Sequence, residues 1–186
     1  MRVCIDPGHG MSNKQKGIYD PGAVHVENGV LYEEADINLK FSLALKNALQ
    51  SRGIDTFLTR DDKFDHTPVG SRAAMGKQAG CGLLVSIHVN DFDDDSANGV
   101  EVLYANASSK KLAQDIQAGL VKSTGMKDRK IKQRTDLAVL KFDGKAVLVE
   151  LGFIANDFDR NKLLNAQTRD AIIGAMASII QTEIIA

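Results

Sequence analysis

The sequence predicts an α/β fold, a single domain on a twisted, mixed but largely parallel sheet with helices on both faces. Three observations carry that reading. Short apolar runs rich in β-branched residues alternate with longer segments whose apolar residues recur at helical spacing. No internal repeat, low-complexity tract or linker interrupts the 186 residues, so 1–186 reads as one domain. A composition of 44% hydrophobic and 25% charged residues is ordinary for a globular chain, and this length buries a core without disulfide or metal staples.

Six apolar runs are the candidate strands: Arg2–Ile5, Ile54–Leu58, Leu83–Ile87, Val100–Tyr104, Leu137–Leu140 and Ala146–Val149. After the first, Ile37, Phe41, Leu45, Ala48 and Leu49 share one helical face that stops at Gly53, a residue suited to a helix end. A shorter helix is expected from Pro68 to just before Gly80. Leu112, Ile116, Leu120 and Val121 follow Ser108 or Ser109 as caps and stop near Gly125, and Ile172, Met176, Ile179 and Ile180 mark a closing helix.

Charge and composition exclude several classes. With 23 Lys+Arg against 24 Asp+Glu the net charge is −1, without the basic surplus of a general nucleic-acid binder. No run approaches the roughly 20 apolar residues of a membrane span. No basic segment followed by an apolar stretch opens the chain, so the sequence as given carries no secretion signal and synthesis in the cytoplasm is expected. Cys4 and Cys81 sit in apolar surroundings and read as buried free thiols. Lys110 to Arg134 is a locally basic segment, suited to a solvated face or to an anionic polymer. Asp91, Asp93, Asp94 and Asp95 read as a solvated loop that could also take a hard cation.

The chemistry is expected where apolar strands end in residues that packing does not require. Val-Cys-Ile-Asp-Pro-Gly-His9-Gly, Leu-Leu-Val-Ser-Ile-His88-Val-Asn and Val-Leu-Val-Glu150-Leu-Gly-Phe are three such ends, and open α/β sheets bind ligands at the carboxyl ends of their strands. A buried Glu150 must face a cation, accept hydrogen bonds or carry a raised pKa. Two histidines and a glutamate suit catalytic zinc, which takes three His, Glu or Asp ligands and leaves a position for water. Glu34, opening the first long helix, is a further candidate ligand, although each residue alone also has an ordinary structural reading. His25 and His66 read as ordinary loop side chains. No complete G-x-G-x-x-G, phosphate-binding loop or G-x-S-x-G is present, which argues against nucleotide binding and serine hydrolysis.

At these residues the sequence resembles the zinc-dependent N-acetylmuramoyl-L-alanine amidases of type 3, found in bacterial autolysins and in phage or prophage endolysins. Ile-Asp-Pro-Gly-His9-Gly resembles the opening motif, Asp20-Pro-Gly-Ala the following loop and Glu34-Ala-Asp-Ile-Asn-Leu the helix start. Leu-Thr-Arg60, the Arg72 helix, Val-Ser-Ile-His88-Val-Asn and Val-Leu-Val-Glu150-Leu-Gly-Phe-Ile-Ala-Asn follow in the family's order, across nearly the whole chain.

The resemblance implies a sheet of about six strands, zinc ligands His9, Glu34 and His88, and Glu150 as the catalytic carboxylate. Glu33 is the rival ligand; Glu34 is preferred because it lies four residues before Asn38, as in the family pattern. The implied reaction is hydrolysis of the amide between N-acetylmuramic acid and L-alanine in peptidoglycan, at the cell wall or outside the cell. Some relatives carry an inhibitory insertion, for which the short link from Tyr104 to Ser108 leaves no room. No obligatory protein activator and no separate wall-binding module are therefore expected. Two other functions fit the same residues: a non-catalytic peptidoglycan-binding domain, and a zinc peptidase cutting within the stem peptide.

Overall fold

The computed structural model describes residues 1–92 and 95–185. Its elements run β1 (Arg2–Pro7), β2 (Gly10–Met11), β3 (Tyr19–Asp20), β4 (Val24–Glu27), β5 (Val30–Glu33), α1 (Glu34–Gln50), β6 (Thr56–Leu58), α2 (Arg72–Gln78) and β7 (Cys81–Asn90). Then come β8 (Val100–Tyr104), α3 (Lys110–Thr124), β9 (Asp128–Gln133), β10 (Lys145–Phe153), α4 (Asp157–Leu164) and α5 (Ala166–Ile185).

Six strands form the main sheet in the order β6-β1-β7-β10-β8-β9, and only the β10–β8 junction is antiparallel. The mixed, largely parallel sheet expected from the sequence is thus present. From β1 the chain crosses through α1 to β6 on one side, then through α2 to β7 on the other. The strand order therefore reverses between β1 and β7, the place in an open α/β sheet where a crevice opens beyond the strand ends.

The two sheet faces are covered unequally. Val3, Ile5, Leu83, Val85, Ile87, Val147 and Val149 pack with α1, α3 and α5 into the larger core, including Phe41, Leu45, Ile116 and Met176. On the other face Cys4, Leu84, Leu103, Ala146 and Leu148 pack into a smaller cluster covered by Leu137, Val139, Leu140, Phe142 and the short α2. That thin cover leaves the carboxyl ends of β1, β7 and β10 accessible on this face. Both cysteines are buried free thiols, and burial pushes the Cys4 thiol well up from its ordinary pKa.

Several expectations change. Leu137–Leu140 is not a strand; Ala138–Lys141 forms a 3-10 turn whose Val139 and Leu140 are buried against the thinly covered face. The sixth strand is instead β9, a polar edge strand with little side-chain burial. Ser109 holds the N-cap position of α3, as one of the two expected caps, but without a side-chain capping bond; Asn106 caps the preceding 3-10 turn Ala107–Ser109, its side chain accepting from the Ser109 amide. α2 begins at Arg72 because Pro68–Ser71 forms a separate turn. α4 was not expected, being short and mostly polar. In the acidic run Asp93 and Asp94 lie outside the described residues.

Candidate metal centre and active site

The centre is built at the β1–β7 crevice. β1 ends at Pro7, and the chain turns through Gly8 into His9, which holds a left-handed backbone (φ 62°). That conformation is uncommon for a residue with a Cβ, and it aims the imidazole at α1 rather than along the strand. Two buried arginines hold the turn. Arg60 donates to the carbonyls of Pro7, Gly8 and Ala35, tying the His9 turn to the first turn of α1. Arg72 donates to the carbonyls of Pro7 and His9 and pairs with Asp6 at 2.7 Å.

α1 starts against the loop after β3. The amides of Glu34 and Ala35 donate to the carbonyls of Ala23 and Pro21, and the Ala23 amide donates back to the Glu34 carboxylate at 2.9 Å. These contacts satisfy helix-start amides that would otherwise lack partners, and they turn Glu34 inward to 4% exposure. Glu33, one residue earlier, accepts from the Tyr19 hydroxyl instead.

His9 Nε2 lies 3.0 Å from one Glu34 oxygen, and His88 Nδ1 lies 2.9 Å from the other. The donor atoms of His9, Glu34 and His88 all fall within 4.8 Å of one another. Burial alone would raise the Glu34 pKa, but hydrogen bonds and charge from both histidines outweigh it and hold the carboxyl well below its usual range. Burial likewise disfavours a charged His88, and Glu34 outweighs that effect and raises its pKa.

Glycines make the approach possible. A Cβ on Gly8 would lie 2.3 Å from the His88 ring, and one on Gly22 would lie 2.5 Å from the Glu34 carboxylate and 2.8 Å from the His9 ring. Asp20 completes the support. Its Oδ2 lies 2.9 Å from His9 Nδ1 and accepts from Asn13 at 2.6 Å, while its Oδ1 accepts from the Gly22 amide. These bonds outweigh burial and lower the Asp20 pKa to about 2.

Glu150 pairs in register with His88 on β7 and with Glu101 on β8. Neighbouring strands lie about 4.8 Å apart, which sets Glu150 beside the histidine row. Its Oε2 is buried without a hydrogen-bond partner, and burial raises its pKa to about 7. Just after it the β10–β7 register slips between Glu150 and Phe153, the kind of bulge that ends pairing beside a site.

The chain matches the N-acetylmuramoyl-L-alanine amidase family over residues 3–182. It belongs to that family. Among relatives it is 35% identical to the uncharacterized protein YqiI of Bacillus subtilis, over 95% of this chain and 83% of that protein. It is 33% identical to the N-acetylmuramoyl-L-alanine amidase LytC of the same organism, over 90% of this chain but only 32% of LytC. Solved amidase structures superimpose closely. The catalytic domain of CwlV from Bacillus (Paenibacillus) polymyxa var. colistinus has TM-score 0.87 and 25% identity, covering 99% of this chain and 98% of that one. An amidase from Clostridium difficile 630 has TM-score 0.88 and 27% identity, covering 100% and 97%.

In this amidase the expected residues His9, Glu34 and His88 converge, with Glu150 in the adjoining register position. Glu33, the rival, does not join them. His66 lies elsewhere, 2.6 Å from the Ser12 hydroxyl, and His25 belongs to the β4–β5 hairpin. The supporting roles of Asp20, Arg60 and Arg72 were not legible in the sequence, although all three stand in the motifs quoted above. A carboxylate two residues before a glycine in a loop was the only local signal for Asp20. In the basic segment Lys111, Arg129, Lys130, Lys132 and Arg134 pair with Asp115, Asp128, Asp136 and a Glu101 shared by Arg129 and Lys132. No helix is long and apolar enough to cross a membrane, among the described residues.

Proposed function

We propose that this chain is a catalytic domain over residues 1–186 that hydrolyses the amide between the lactyl group of N-acetylmuramic acid and the L-alanine of the peptidoglycan stem, at the cell wall. The observation that carries the proposal is a nitrogen and oxygen donor cluster beside a buried carboxylate with an unpartnered oxygen. The donor set fits zinc. Two imidazoles and one carboxylate are the ligand types of catalytic zinc sites, and Asp20 on the far nitrogen of His9 is the usual outer partner of such a histidine. His9, Glu34 and His88 would hold the ion. When bound there, zinc supplies Lewis acidity toward a carbonyl oxygen and toward water.

The protein's own groups do the rest. Glu150, buried with an unpartnered carboxylate oxygen, takes the proton of the attacking water and returns it to the leaving amine nitrogen, acting first as base and then as acid. The rigid His9 turn and α1 start keep the donors from rearranging as charge develops on the substrate oxygen. LytC, as named, is an amidase of this specificity, which supports the choice of bond.

The test is digestion of purified peptidoglycan by protein with and without chelation, with labelling of new amino termini and identification of products by mass. Chelator-sensitive release with L-alanine at the new terminus is expected. A zinc-loaded protein that binds sacculi and releases no amine would be a binding module, and cuts within the stem peptide would make it a peptidase.

A further inference from the structure

α4, the helix not expected from the sequence, carries two consecutive charged residues, Asp159 and Arg160, that are both buried at 0% exposure. Their partners are groups in the segments that flank Glu150. After Glu150 the β10–β7 pairing skips Leu151 and Gly152 and resumes at Phe153 with Asn90. A bulge disrupts the ladder locally, and buried amides there need other partners. The Phe153 amide donates to Asp159 Oδ2 at 3.0 Å, and the amide of Gly99, one residue before β8, donates to the same oxygen at 2.7 Å. β8 and β10 are the strands on which Glu101 faces Glu150. One carboxylate oxygen therefore joins both strands just beyond the catalytic carboxylate. Packing closes the same junction, since a Cβ on Gly152 would lie 2.7 Å from the Met126 side chain and 3.2 Å from the Asp159 Cβ.

Arg160 makes a second tie. Its guanidinium donates to the carbonyls of Ile154 at 2.9 Å and Ala155 at 3.3 Å, and pairs with Glu27 of β4 at 2.8 Å. It also lies over the Tyr32 ring, 5.5 Å from its centre. Tyr32, on β5, stands two residues before Glu34. The chain leaving Glu150 is thus fastened to the hairpin that leads into the α1 donor.

We propose that Asp159 and Arg160 are positioning residues for amide hydrolysis, holding the end of β10 so that the Glu150 carboxylate keeps its place beside His9, Glu34 and His88. This rests on the reading of Glu150 as the base given above. The donors themselves are held by other bonds, from Arg60, Arg72 and Asp20. Loss of the α4 ties should therefore lower turnover and leave zinc in place.

The experiment measures kcat, KM and zinc affinity on soluble disaccharide-peptide fragments of peptidoglycan with zinc-loaded protein. Asp159→Ala should lower kcat by about 10- to 100-fold, the scale of a misplacement near 1 Å, with KM and zinc affinity unchanged. Asp159→Asn keeps an acceptor oxygen for both amides and should restore most of the rate. In a Glu150→Gln background Asp159→Ala should cause almost no further loss, because residues that act through one group are not additive. Native kcat in Asp159→Ala, a loss that Asp159→Asn shares in full, a matching loss of zinc affinity, or a loss that multiplies with that of Glu150→Gln overturns the proposal. Should Asp159→Ala fail to fold, Arg160→Lys decides. It keeps the charge but lacks the planar fork that reaches two carbonyls and Glu27 together, so its kcat should fall at unchanged zinc affinity, and a native kcat overturns the proposal equally. Full activity of zinc-loaded Glu150→Gln, or no amine release by the native protein, would instead overturn the reading on which the proposal rests.

Discussion

Asp20 Oδ2 lies 2.9 Å from Nδ1 of His9, on the side of the ring away from Glu34. The carboxylate fixes both ring orientation and tautomer, so that Nε2 faces the donor cluster. Replacing Asp20 with Ala should lower zinc affinity by about 10- to 100-fold, the usual cost of losing an outer-shell partner. Competition against a chromophoric chelator measures this; an unchanged affinity would show that the turn alone positions the ring.

Glu150 should separate metal binding from turnover. Glu150→Gln removes the proton acceptor but keeps the shape, so zinc content should hold while the rate falls by about 10²–10⁴. A zinc-loaded variant with full activity would sink its role as base.

The glycine cradle makes a steric prediction. Gly8→Ala drives a methyl into the His88 ring, at 2.3 Å in the native arrangement. Such overpacking costs about 1–3 kcal/mol and should also weaken zinc binding. Gly70→Ala, with no heavy atom within 4 Å of the new Cβ, should change stability by less than about 0.5 kcal/mol. Melting temperature and zinc titration of the two variants decide the point.

Acid should loosen the floor of the site through Asp6. This buried carboxylate accepts from Arg72, Thr59 and Ser86 at 2.6–2.7 Å, and these partners outweigh burial and lower its pKa from the ordinary 3.8. The unfolded chain then binds the proton more readily than the folded one. The contribution is present above pH 3.8 and is lost as pH falls below it, toward the folded pKa. Urea unfolding across this range should show stability falling with pH in the native protein and a shallower fall in Asp6→Asn. Equal slopes would remove Asp6 from the account.

Legibility followed burial. His88 and Glu150 could be found because each interrupts an apolar strand, where a polar side chain has no packing role. β9 was hidden because an edge strand with exposed faces keeps a polar sequence, and its Arg129 and Lys132 resembled a solvated basic run until both were seen to pair with Glu101. Leu137–Leu140 misled for the opposite reason. A short apolar run has no readable period, and here it covers a sheet face as a 3-10 turn.

The sequence by itself determined the α/β class, five of the six main-sheet strands, four of the five helices and the family, because these depend on local periodicity and on motifs that are continuous in the chain. Tertiary structure decided which of Glu33 and Glu34 turns inward, how Asp20 meets His9, and why Gly8 and Gly22 must lack side chains. Those outcomes depend on distances between segments far apart in sequence, which the crossings from β1 to β6 and back to β7 bring to one crevice.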